Sequence, residues 1–194
     1  MTKKTPQWQA EFAGHLAQLV KDKDRATLAQ LRRGLAKDFG RESRRDGWVL
    51  SQLKRMGIAK LTKDCEVNHC CQIASLFAEH PVTCHYGTLG TSFREMANQP
   101  GANEESIERR FYALLDSDYE DLPNRLRHAI SLLSSKSVAV HWAQLLTDLG
   151  KWKLEWRPVH KDWSRDFWAP RKTNTDSDAG EVSEDAEATA TPDA

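Results

Sequence analysis

The chain has 194 residues, enough to bury one sizeable core or two small ones, and 39% of them are hydrophobic against 29% charged, the balance of an ordinary globular protein. A formal charge of zero hides an uneven distribution: from Thr173 onward there are seven carboxylates and no Lys or Arg, leaving 28 basic against 21 acidic side chains in the rest. That balance excludes an acidic body and suggests a polyanionic partner. No apolar h-region follows Lys3 and Lys4, and no apolar run reaches the ~18 residues of a membrane span, so a soluble, cytoplasmic protein is expected.

From Pro6, the residues Trp8, Phe12, Leu16, Leu19 and Val20 recur at helical spacing, and Lys21 to Asp24 break the pattern. Leu28, Leu31 and Leu35 resume it in a second helix that Asp24 is placed to cap. Arg32 and Arg33 end that helix, where they fit either favourable placement of cations at a helix C-terminus or contact with phosphate. Residues 37–47, with Arg41, Arg44 and Arg45, have no apolar period and read as a polar loop or a short helical turn. Trp48, Leu50, Leu53 and Met56 then mark a helix ending near Gly57, and residues 64–79 are apolar around much of their circumference, as in a helix buried on several sides.

Pro81 stops that helix, and residues 80–87 read as a joint between two halves, 1–84 and 85–172. A short helix with Phe93 and Met96 inside and Arg94 outside precedes the turn at Gln99, Pro100 and Gly101. Next comes a helical hairpin. Asn103 caps a helix whose stripe is Ile107, Phe111, Leu114 and Leu115, and Asp121 is expected to cap a second, with Pro123 in its first turn and Leu122, Leu126, Ala129, Ile130 and Leu133 inside. At 100° per residue Arg109 lies opposite the first stripe and Arg110 on its flank; Arg127 and His128 lie outside the second and Arg125 on its edge. Residues 138–151 and 158–168 complete the series, and strand-like alternation is scarcely seen. The expected fold is all-α, two small helical bundles in tandem, with residues 173–194 forming a disordered acidic tail too poor in apolar surface to offset its conformational entropy.

Cys65, His69, Cys70, Cys71, His80, Cys84 and His85 are zinc-ligand types in one short window, yet no CxxC occurs, and buried thiols are the favoured reading. Asp116, Asp118, Glu120 and Asp121 lack the glycine and closing glutamate of a calcium loop. No GxSxG, P-loop, HExxH or GxGxxG motif is present, so no catalytic residue, metal or cofactor is expected. Five of the seven tryptophans lie between Trp142 and Trp168; Trp142 and Trp163 share phase with apolar neighbours and read as core, and Trp152 and Trp156 as core or subunit contact.

The stretches LAQLRRGL, YGTLGTSF, SIERRFYALLDSD followed by LPNRLRHAI, and HWAQLLTDLGKW stand in an order that resembles the CasB family, the small subunit of the type I-E CRISPR surveillance complex Cascade. The resemblance covers most of residues 25–168 and implies an all-helical, non-enzymatic subunit. Its partners would be other Cascade subunits, including a second copy of itself, together with crRNA and the displaced single strand of target DNA, in antiviral defence. It further implies a basic contact set: Arg32 and Arg33 match the family's paired basic residues, Arg109 and Arg110 its ERR arginines, and Arg127 the RLR segment. Lys151 and Lys153 fit a basic stretch after the last long helix. Arg125 shares the edge of the same hairpin, His128 stands where arginine is often found in the family, and Thr91 where some members carry it. The rival reading is a helical adapter whose basic surface docks on acidic proteins.

Overall fold

The computed structural model describes residues 7–34, 43–58 and 64–170; the expected acidic tail, Leu35 and the segment with Arg41 lie outside them, as do the side chains of Arg44 and Cys65. Among the described residues the fold is all-α, nine helices with one isolated parallel bridge between Thr83 and Val140.

α1 (Gln7–Lys21) buries Phe12 and Leu16, and α2 (Arg25–Arg33) begins where Asp24 accepts hydrogen bonds from the Thr27 amide at 3.0 Å and hydroxyl at 2.7 Å. Those bonds hold the Asp24 carboxyl below the usual carboxylate range, as a helix cap should. α3 (Ser43–Arg55) starts inside the stretch read as a polar loop or a short helical turn, and its Arg45 points inward. Its guanidinium is 1% exposed, pairs with Asp46 at 2.8 Å and donates to the Gly34 carbonyl at 3.3 Å. α4 (Asp64–Glu79) is the central helix, with Cys70, Cys71, Ile73, Ala74, Leu76 and Phe77 all buried. It packs against α2 and α3 on one side and α7 (Leu122–Ser135) and α8 (Trp142–Leu149) on the other, as apolar residues around its circumference require.

The segment after α4 does not end its contacts there. The Val140 amide donates to the Val82 carbonyl and the Cys84 amide to the Val140 carbonyl, both at 3.2 Å, and Trp142 Nε1 donates to the same Val82 carbonyl. That pairing holds residues 138–141 extended, so α8 starts at Trp142 and not at Val138 as its apolar period suggested. Buried residues from both sides of residue 84 form one continuous cluster, with α1 packed on α8.

α5 (Leu89–Ala97), α6 (Glu104–Leu115) and α9 (Pro158–Phe167) form the remaining layer. α5 crosses α9 at Gly90, where an added Cβ would overlap the Trp163 carbonyl. Phe111 of α6 stacks on Phe167 of α9 at 4.5 Å and lies 5.2 Å from Phe93 of α5, which fixes the rotation of α6. Trp142, Trp152 and Trp163 are buried, whereas Trp156 is 63% exposed.

Candidate nucleic-acid interface

The hairpin of α6 and α7 presents its cations because its apolar stripes are fixed elsewhere. Asn103 Oδ1 accepts from the Ser106 amide at 2.9 Å, and Glu104 and Glu105 follow in the first turn, where the helix dipole favours negative charge. Ile107, Phe111, Leu114 and Leu115 are buried, leaving Arg109 and Arg110 exposed. In α7 the buried set is Leu122, Leu126, Ala129, Ile130 and Leu133, which leaves Arg125, Arg127 and His128 exposed.

Asp121 stands at the N-cap position of α7, but its side chain caps nothing, contrary to the sequence expectation. Its backbone is already helical, and its carboxylate turns along the helix to accept from Arg125 Nε at 2.7 Å and Asn124 Nδ2 at 3.4 Å. Those hydrogen bonds keep Asp121 below the usual carboxylate range. Both partners of the ion pair are about half exposed, so the pair is weak and a phosphate can compete for the guanidinium.

Between the two helices lies a groove of about 280 Å³, floored by Phe93, Leu114 and Ala129 and rimmed by Arg110, Arg125 and His128. Three of the residues singled out in the sequence therefore meet around one concavity. Arg127 is two residues beyond Arg125, about 200° around α7, and Arg109 is on the outer side of α6; neither lines the groove.

Lys153 lies near the start of α7. Its Nζ sits 3.8 Å above the Tyr119 ring, and Tyr119 Oη is 2.9 Å from His69 Nε2. The ring holds the ammonium in place by cation–π attraction. Burial, and then the Lys153 charge, push the His69 imidazole below its ordinary value and so favour its neutral form. A second hollow of about 250 Å³ opens there beside Leu122 and Pro123, roughly one helical turn from Arg125. Lys151 is exposed in the turn after α8.

Arg32 and Arg33 are elsewhere. Arg32 donates from Nε and Nη2 to the Ala78 carbonyl at 3.1 and 2.7 Å and pairs with Glu79 at 3.3 Å, so it serves the C-terminal end of α4 while staying half exposed. Arg33 beside it is exposed. Gln72 borders the hollow near Lys153, and the six residues from there to Ala78 put the pair about 9 Å farther along α4.

Thr91 is buried and belongs to the α5 cap, its hydroxyl accepting from the Thr88 amide at 3.2 Å. Cys70 and Cys71 are buried and burial pushes both thiols up to about 12, while Cys84 is half-buried, with Sγ 3.5 Å from the Tyr86 carbonyl. His80 is buried against the Val138 carbonyl at 2.6 Å. Among the described residues no three His, Cys, Asp or Glu side chains gather in a metal-holding group, and no helix is long and apolar enough to cross a membrane. Sequence reasoning missed two features. Arg45 carried the composition of a surface residue, and Phe93 was read only as core when it also floors the groove.

The family model described as CRISPR-associated protein Cse2 matches residues 27–168. A curated Cse2 protein from Thermus thermophilus is 36% identical over 63 residues, 32% of this chain, and the match spans only 36% of that relative. The crystal structure of a Cse2-family CRISPR-associated protein, also from Thermus thermophilus, is similar with a TM-score of 0.72 at 27% identity, covering 86% of this chain and all of that one. A chain of a CRISPR RNA-guided surveillance complex has the same fold, with a TM-score of 0.64 at 20% identity over 83% of this chain and 91% of its own. With the family model spanning every helix from α3 to α9 and all but the start of α2, this chain belongs to the Cse2, or CasB, family of CRISPR-associated proteins.

Proposed function

We propose that this chain is the non-catalytic small subunit of a crRNA-guided type I-E surveillance complex, Cascade. In this reading it holds nucleic-acid backbone with arginine and lysine, supports the assembly and steadies the displaced strand of the R-loop. Its partners are the other Cascade subunits, a second copy of itself, crRNA and the displaced single strand of target DNA. One observation carries the reading: Arg110 from α6 and Arg125 and His128 from α7 converge on the rim of a single groove. The surveillance-complex chain with the same fold supports the assembly part of the proposal.

The physics of strand exchange suits such a surface. The RNA–DNA hybrid is about as stable as the duplex it replaces, so modest backbone contacts tip the balance. Guanidinium groups on phosphates position a strand without reading its sequence. Arg109, Arg127, Lys151 and Lys153, all exposed, extend the cationic surface beyond the groove, and Arg33 with Arg32 adds a separate point near the end of α4.

The test is charge reversal at Arg33, Arg110 and Arg127 within the assembled complex. Binding to double-stranded target is expected to weaken more than binding to single-stranded target, because only the duplex yields a displaced strand. Equal losses on the two substrates would remove displaced-strand contact from the reading.

A further inference from the structure

Phosphate oxygens need donors and positive charge, which the rim of the α6–α7 groove supplies, but they have no use for the apolar hollow beneath it. Under Arg110, Arg125 and His128 the walls are Phe93, Ala113, Leu114, Ala129 and Leu132, with no carboxylate or amide side chain among them. Small residues make the room: Ala113 on α6 and Ala129 on α7 stand where longer apolar side chains would close the gap between the helices. The result is a half-open groove of about 280 Å³ in all, with a mostly apolar lining edged by two guanidiniums and an imidazole.

A ligand that satisfies both layers carries anionic charge close to a flat, largely apolar ring. We propose that the groove seats the base of one unpaired nucleotide of the bound strand, with the flanking phosphates on the Arg110, Arg125 and His128 rim. The inference rests on the reading that this rim holds a nucleic-acid strand, and it names the form of that strand. In a duplex the bases are stacked and paired, and only an unpaired strand can turn one outward at low cost. The walls offer no hydrogen-bonding side chain to read a base edge, so occupancy depends on the ring and not on the sequence, and guanidinium planes at the rim add stacking and cation–π attraction. An acidic peptide inserting an apolar side chain is the rival occupant; the rim's cations favour the strand because phosphates recur on both sides of every base, which matches cations contributed by both helices.

The experiment measures binding of the full chain to oligothymidine and to a strand of equal length in which every position is abasic. The two carry the same phosphates and differ only in bases. The wild-type chain is expected to hold oligothymidine about tenfold tighter, the scale of one stacked base. Ala113→Leu fills the groove from an exposed helical position that tolerates leucine, leaves every charge in place, and is expected to erase the gap. Equal wild-type affinity for the two strands overturns the base pocket and leaves the rim's grip on phosphate standing. Failure to bind either strand overturns both. An acidic peptide carrying one phenylalanine that competes as well as oligothymidine for the wild-type chain, but not for Ala113→Leu, overturns the choice of a nucleotide.

Discussion

Asp148 on α8 is 5% exposed and accepts hydrogen bonds from Trp163 Nε1 and Gln144 Nε2, each at 2.7 Å, tying α8 to α9. Burial pushes its carboxyl up to about 6 although both donors pull the other way. In an unfolded chain the same group titrates near ~3.9. A raised folded-state value means that the folded chain keeps a proton the unfolded chain loses. Its contribution is therefore fully present below ~4 and is lost as pH rises through about 6, a swing of about 3 kcal/mol. Asp148→Asn keeps an acceptor for Trp163 and removes the titration. Denaturant unfolding of wild type and variant is expected to show the wild type losing about 3 kcal/mol relative to the variant between acid and neutral pH; parallel curves would refute a buried carboxyl that takes up a proton. Arg45 shows how little of this scale is local. It shares its composition with Arg41 and Arg44, yet its guanidinium is buried because Asp46 and the Gly34 carbonyl satisfy it, and the second partner is eleven positions away. Nothing in the neighbouring residues distinguishes it from the exposed Arg110.

The crossing of α5 and α9 depends on Gly90 having no side chain, since a Cβ there would meet the backbone of Trp163, which cannot rotate aside. Gly90→Ala is expected to cost about 1–3 kcal/mol and lower the melting temperature by roughly 2–4 °C for each kcal/mol. Gly14→Ala in α1, where nothing lies within 4 Å of the added carbon, should hold or raise it through better helix propensity. Calorimetry on the two variants checks both signs. Apolar period located the helices well where packing is one-sided or all-round: α4 runs from Asp64 to Glu79, the span its composition indicated. It failed at the start of α8, where Val138 and Val140 fit a helical stripe but the chain is extended by pairing with Val82 and Cys84. Backbone pairing between remote segments leaves no periodic trace. The same limit applied to the candidate site. Helical phase put Arg110, Arg125 and His128 outward, but their meeting around one groove follows from how Phe111 seats against Phe93 and Phe167.

At the scale of the molecule, neutrality is a sum of two opposed parts. Seven carboxylates lie beyond Thr173, and the remainder carries 28 basic against 21 acidic side chains. In the described body, exposed cations stand at the groove rim, at Lys153 near the start of α7, at Lys151 in the turn after α8, and at Arg33, the last residue of α2. A chain with zero net charge attracts a polyanion through its local fields only, whereas one carrying +7 adds a long-range term that grows as the Debye length lengthens from about 10 Å at 0.1 M salt to about 30 Å at 0.01 M. Removing residues 173–194 is therefore expected to speed association with a single strand several-fold at low salt and to matter little at high salt, while the dependence of affinity on salt steepens. Stopped-flow binding at two ionic strengths measures this directly. Equal rates at low salt would mean that the carboxylates do not act on the cationic surface. In that case the loss of slope in an Arg110→Gln variant, about 0.7 per phosphate contact on a log–log plot, would still report the rim's own hold on the strand.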